Sequence, residues 1–263
     1  MDIEKFIIDG VENAVKTSFS TQKIEERYEK HRAKLHFLPV DLRVYQGGIQ
    51  SLNIKLGDIL VKITNKIIDD NPNLELHELS GKKIKKINST ETSTEINNFI
   101  RLHNNKKIAS KQEFDDLITN ISLTEPSSPR PRTQNVDVDL LFTKKDEDKL
   151  YFFESKAVDD HDTGKFNDLN RKVFETYGAL LNSLDSNERS KLVPNLMYFS
   201  EAKRYEPVYI PKENQFRGKE FFKRFLDYDV KDLEPVLIKA GDLMMDYLHK
   251  QYEEIVTLRK YHS

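Results

Sequence analysis

Val136-Asp-Val-Asp-Leu-Leu-Phe142, the charged run 144–149 and Leu150-Tyr-Phe-Phe-Glu-Ser-Lys156 set the architecture of this chain. Val136, Val138, Leu140 and Phe142 alternate with Asp137, Asp139 and Leu141, and a period of two predicts a strand. The charged run serves as a turn, and Leu150-Tyr-Phe-Phe153 opens a second strand, so the pair reads as a hairpin. Residues two apart on a strand point to one face. Glu154 and Lys156 are therefore expected side by side, as are Asp137 and Asp139.

Beyond the hairpin, a helix is expected from Asp162 or Thr163, with Phe166, Leu169, Val173, Tyr177, Leu180 and Leu181 on its apolar stripe. Short strands follow over 193–199 and 208–210, then helices over 219–226 and 233–258. Upstream, the three prolines of 125–133 forbid helix and predict an extended connector. Residues 70–112 are irregular, with turns at Asn71-Pro72 and Ser80-Gly81; helix is expected only over 96–102, and again at 114–121. The first 38 residues are helical by spacing, and 41–68 reads as one buried helix or two. This order describes an α/β or α+β fold whose sheet begins only after residue 135, within one domain spanning 1–263. Residues 1–125 form its mostly helical N-terminal part, and 134–263 its sheet core and C-terminal helices.

Composition narrows the classes. Hydrophobic residues at 37% and charged ones at 33% suit a folded chain, and 42 basic against 44 acidic residues argue against a protein that coats nucleic acid non-specifically. Without cysteine there is no disulfide framework, thiolate nucleophile or Cys-ligated metal, and a reducing cytoplasm is expected. No apolar run is long enough for a signal peptide or a membrane helix. Walker, Rossmann, His-Glu-x-x-His and Gly-x-Ser-x-Gly signatures are missing.

The hairpin carries the chemistry. Antiparallel pairing brings an acidic residue of the first strand to Glu154 and Lys156 of the second. Two carboxylates beside one ammonium would be a costly accident, yet they make a good site for a hard cation such as Mg²⁺. Phosphodiester hydrolysis asks for these groups: carboxylates to hold the cation, and a lysine to orient or deprotonate water or to offset charge on the phosphate. Glu-x-Lys alone is common here, at Glu147-Asp-Lys149 and Glu201-Ala-Lys203 as well. Only Glu154 has an acidic strand and a turn placed to fold the two together.

Asp137-Val-Asp-Leu-Leu-Phe142, the charged turn and Tyr151-Phe-Phe-Glu-Ser-Lys156 resemble the core motif of the PD-(D/E)XK nuclease superfamily. Proline is missing before the acid, which leaves two candidates. Asp139 is preferred because it lies nearer the hairpin centre and Val138-Asp139-Leu140 is similar to the Ile-Asp-Leu of many members; Asp137 is the alternative. The resemblance implies a mixed central sheet flanked by helices, Mg²⁺ held by Asp139 (or Asp137) and Glu154, and catalysis by Asp139, Glu154 and Lys156. Phe37-Leu-Pro39, Leu42-Arg43, Gly48-Ile-Gln-Ser51, 159–166 and the helix 167–181 further resemble the HinfI type of type II restriction endonuclease. That implies a homodimer in a prokaryotic cytoplasm, cutting double-stranded DNA at a short, nearly palindromic site, GANTC for a close match, and leaving 5′-phosphate ends.

Other residues are weighed for DNA contact. Lys165, after Thr163-Gly164 at a helix N-terminus, suits a phosphate. Arg43, Gln46 and Gln50 share helical spacing and have base-reading chemistry, though polar residues on one face are usually its wet side. Arg130 and Arg132 sit between prolines on an extended arm, and His161 is a candidate base or metal neighbour. The lysines at 82, 83, 85 and 86 and at 106, 107 and 111 read as solvated faces or as part of a basic cleft. Two rivals stand beside the restriction enzyme: a repair or junction-resolving nuclease of the same superfamily, and a non-catalytic nucleic-acid-binding protein.

Overall fold

The computed structural model describes residues 2–32, 34, 36–86, 89–103, 109–125, 134–157, 163–201 and 209–262, with the backbone alone at 86, 134, 163–166 and 258–262. In chain order the elements are α1 (Ile3–Ser18), α2 (Thr21–Arg32), α3 (Val40–Asp70), β1 (Leu74–Leu76), β2 (Lys83–Lys86), α4 (Thr90–His103) and α5 (Lys111–Thr124). There follow β3 (Gln134–Asp137), β4 (Leu140–Lys144), β5 (Leu150–Lys156), α6 (Thr163–Ser183), α7 (Ser186–Lys191), β6 (Leu192–Tyr198), β7 (Gln215–Arg217), α8 (Gly218–Leu226) and α9 (Glu234–His262). They form two compact units, residues 1–63 with 230–263 and residues 64–229. The partition expected near 125–134 falls inside the second unit. No helix among the described residues is long and apolar enough to cross a membrane.

The first unit is helical. Asp2 starts α1 by accepting the Glu4 N–H at 2.9 Å, a side-chain cap at the end of the helix that favours negative charge. Ala14, Val15, Phe19, Ile24, Tyr28, Val44 and Leu52 bury against Leu248 and Ile255 of α9. Lys239 pairs with Glu4 at 2.6 Å, and the Tyr247 hydroxyl donates to Glu12 at 2.7 Å. Residues 40–70 form one helix despite Gly47, Gly48 and Gly57. At Gly48 the absent side chain is itself a packing feature, because a Cβ there would overlap the Phe19 ring.

The second unit is a mixed α/β layer structure. Its five-stranded sheet has the order β1-β4-β5-β6-β7, with β1, β4 and β5 antiparallel in turn and β5, β6 and β7 parallel. The expected hairpin forms, with Leu140 opposite Phe153 and Phe142 opposite Tyr151. Parallel β5 and β6 need a crossover, which α6 and α7 supply. One face of the sheet places Leu141, Leu150, Phe152 and Leu196 in a core with Leu169, Val173, Phe174, Tyr177 and Leu180 of α6. On the other, Phe153 meets Phe142, Phe216, Phe221 and Phe225 at ring-centroid distances of 5.9, 5.7, 4.9 and 5.0 Å. Burying each such side chain contributes about 1.5–3 kcal/mol, and β5 is covered on both faces along most of its length.

Three expectations are corrected. The sheet does not begin after residue 135: β1 pairs with β4, and β2 pairs with β3 in a separate two-stranded ribbon. Both early strands are too short for periodicity to reveal, and their partners lie far along the chain. Residues 136–142 are not one strand, because the chain breaks between β3 and β4 at Val138-Asp139. There the Ser80-Gly81 turn intrudes: Gly81, at φ +68°, donates to the Val138 carbonyl at 2.8 Å, and the Leu141 N–H donates to Ser80 Oγ at 2.7 Å. Finally, Tyr209-Ile210 is not strand; the edge strand beside β6 is Gln215–Arg217, and Val208 lies outside the described residues.

Candidate active site

The site is assembled where β4 begins and β5 ends, beside α6. Continuing the pairing of Leu140 with Phe153 sets Asp139 across from Glu154. Asp139 Oδ2 accepts the Ser155 N–H at 2.8 Å. Its carbonyl accepts from Asn65 Nδ2 at 2.9 Å, and Asn65 Oδ1 in turn accepts the Ser80 hydroxyl at 2.6 Å. The residues that break the strand thus also hold the aspartate. The break separates the two candidates: Asp137, on the ribbon, is 58% exposed and pairs with Lys83 at 3.8 Å. The same-face expectation for Asp137 and Asp139 rested on an unbroken strand and fails with it.

Glu154 is fully buried on the α6 face of β5. Its Oε1 accepts from Lys156 Nζ and, at 2.6 Å, from Lys172 Nζ of α6, with the two lysine side chains 28% and 34% exposed. Glu154 Oε2 is buried and has no hydrogen-bond partner among the described residues. An unsatisfied buried carboxylate oxygen is costly and uncommon in native folds. Burial, and then the Glu154 charge, push the Asp139 carboxyl up to about 7, against the opposing pull of Lys172, Lys156 and the Ser155 N–H. Burial works against the Lys172 charge, but Glu154 and Asp139 outweigh it and hold that lysine above its ordinary value.

Among the described residues no group of three or more acidic or histidine side chains stands ready for a metal ion. Two carboxylates are enough for Mg²⁺, which keeps several waters or substrate oxygens in its shell. The orphaned Glu154 oxygen, with Asp139 driven toward its neutral form beside it, fits a divalent cation, which would satisfy both.

The whole chain carries the same signal. It matches the family model described as type II restriction endonuclease, HinfI, over residues 1–241. It is 32% identical over 237 residues to the type II restriction enzyme HinfI of Haemophilus influenzae, which covers 89% of this chain and 88% of that enzyme. The chain belongs to the HinfI family of type II restriction endonucleases. No solved structure matches it.

The remaining expected contacts of this endonuclease fall in several places. Arg43, Gln46 and Gln50 lie on α3 in the first unit; Arg43 is buried and donates to the Lys34 carbonyl at 3.4 Å, whereas both glutamines are exposed. Lys165 is in the first turn of α6, its side chain outside the described residues, as are Arg130, Arg132, His161, Lys106 and Lys107. The other Glu-x-Lys matches have local roles. Glu147 pairs with Lys144 at 2.8 Å and accepts the Tyr151 hydroxyl, and Glu201 accepts the Lys219 N–H at the start of α8. Lys172 was missed because, beside Arg171 and between Asp168 and Glu175, it reads as one more charged residue on the wet side of the helix, with no motif around it. Its position at the margin of the α6 stripe, between Leu169 and Val173, was the available sign.

Proposed function

We propose that this endonuclease hydrolyses double-stranded DNA at a short, nearly palindromic site, GANTC, with Mg²⁺ held by Asp139 and Glu154 and with Lys156 as the third catalytic group. The observation that carries the reading is the buried, unpartnered Oε2 of Glu154 beside Asp139, with lysines on the other oxygen of the same carboxylate. Bound Mg²⁺ supplies charge neutralisation at the scissile phosphate and a lowered pKa for the attacking water. Lys156, partly exposed at the end of β5, orients that water and offsets charge gathering on the phosphate oxygens. Water attacks phosphorus, the bond to the 3′-oxygen breaks, and the products are a 5′-phosphate and a 3′-hydroxyl. A nearly palindromic site presents the same groups on both strands, which supports a homodimer with one such centre for each.

The test is digestion of two duplexes, one holding a single GANTC and one with that site scrambled, in Mg²⁺ and in chelator, with Glu154→Ala and Lys156→Ala beside the wild type and the ends sequenced. Cleavage at GANTC alone, lost in chelator and in both variants, is expected. Cutting in chelator, full activity in either variant, or breaks elsewhere would overturn the corresponding part of the reading.

A further inference from the structure

Glu154 Oε1 is held by two ammonium groups from different elements: Lys156 on β5 and Lys172 on α6. A carboxylate oxygen has about two acceptor sites, and here lysines take both. Bringing a second lysine into a partly buried position costs desolvation and rotamer freedom, so this is not where an idle surface lysine settles. The last torsion of a glutamate is broad, and donors from two directions narrow it, which fixes where Oε2 stands.

The charges add up in a particular way. Once a cation holds Asp139 in its ionised form, Asp139 and Glu154 balance Lys156 and Lys172, so these four groups with a divalent cation are two charges positive, and the exposed Asp137 acts on Lys172 from outside the cluster. A phosphodiester under attack by hydroxide carries two negative charges. With Lys172 neutralised, the site would be one charge short of that match.

Resting on the reading of Asp139 and Glu154 as the cation site, we propose that Lys172 is a second lysine of the active centre, a positioning residue acting through Glu154. With Lys156 it occupies Oε1, which Lys156 still holds when Lys172 is replaced; this leaves Oε2 as the oxygen open to the cation, and the Lys172 charge sets what the loaded site offers to DNA. The arrangement trades cation affinity for turnover, since Lys172 repels the ion whose chemistry it supports.

The experiment measures Mg²⁺ binding without DNA by titration calorimetry, together with kcat and KM on a duplex at saturating Mg²⁺, for wild type, Lys172→Met, Lys172→Arg and Glu154→Gln. In Lys172→Met, removing the nearby positive charge tightens Mg²⁺ binding about tenfold, whereas kcat falls on the order of tenfold or more with KM little changed. Damage to the fold would weaken binding instead, so the two effects have opposite signs. Lys172→Arg, which keeps the charge, restores wild-type Mg²⁺ affinity to within about twofold and part of kcat. Should Lys172→Met fail to fold, Lys172→Gln, which retains a donor to Oε1 without the charge, decides the question through the same two readouts. Weaker or unchanged Mg²⁺ affinity, or full kcat, in the uncharged variant overturns the role of Lys172. Glu154→Gln keeps the two readings apart: wild-type Mg²⁺ binding there refutes the cation site itself, whereas lost binding there beside an unaltered Lys172→Met refutes Lys172 alone.

Discussion

Replacing Asp139 with asparagine should stabilise the protein in chelator while abolishing cleavage, and the size of the gain should follow pH. The amide oxygen of the new side chain can accept the same Ser155 N–H that Asp139 Oδ2 accepts at 2.8 Å, so the substitution removes charge with little change of shape. Burial and the Glu154 charge raise the Asp139 carboxyl from 3.8 to about 7. Between those values the unfolded chain has already released a proton that the folded chain keeps, so stability falls as pH rises from about 4 to 7 and levels off above. The gap corresponds to about 4 kcal/mol at pH 8 and about 1.5 kcal/mol at pH 5. Urea denaturation of wild type and Asp139→Asn in EDTA, at half-unit steps from pH 5 to 8.5, measures it. The variant should be the more stable at pH 8, the curves should converge as pH falls, and excess Mg²⁺ should stabilise the wild type only, by about 2.7 kcal/mol at a hundred times the dissociation constant. Parallel curves, or a wild type more stable than the variant at pH 8 in EDTA, would refute the claim that Asp139 is desolvated beside a charged Glu154.

Asp137→Asn should keep cleavage and shift stability by under about 0.5 kcal/mol, since it removes an exposed pair with Lys83 and the weakest of the carboxylate charges acting on Lys172; a dead Asp137→Asn enzyme would make Asp137 a candidate for the metal site. Asn65→Ala removes the donor to the Asp139 carbonyl and the acceptor of the Ser80 hydroxyl, and should cost about 1–3 kcal/mol together with weaker Mg²⁺ binding, read by calorimetry. Gly48→Ala pushes a methyl group into the Phe19 ring and should lower stability by about 1–3 kcal/mol, visible in denaturant melts; unchanged stability would mean that α1 and α3 are not packed as described.

Much of the strand that carries the candidate site was legible because its signals are local. Strand β5 is a short apolar run ending in Glu154-Ser155-Lys156, and side-chain alternation alone puts Glu154 and Lys156 on one face. The charged turn specified the hairpin, and the α6 stripe specified which residues would meet the sheet. The strands at 74–76 and 83–86 were not legible, because three or four residues show no period and their partners lie 48 to 70 positions away.

The choice between Asp137 and Asp139 shows where local pattern stops. Alternation treats them as equivalent, and only the intrusion of the Ser80-Gly81 turn, clamped through Asn65, divides the strand and turns one aspartate outward and the other toward Glu154. Lys172 depends still more on tertiary packing, since a crossover helix must fold back onto β5 before a lysine 18 residues downstream can reach Glu154. The order of residues was enough to specify the family, the hairpin and a strand with Glu154 and Lys156 on one face. Packing in three dimensions settled which carboxylates meet, how far they are desolvated and how many cations answer them, because those quantities depend on distances between segments that no local pattern encodes.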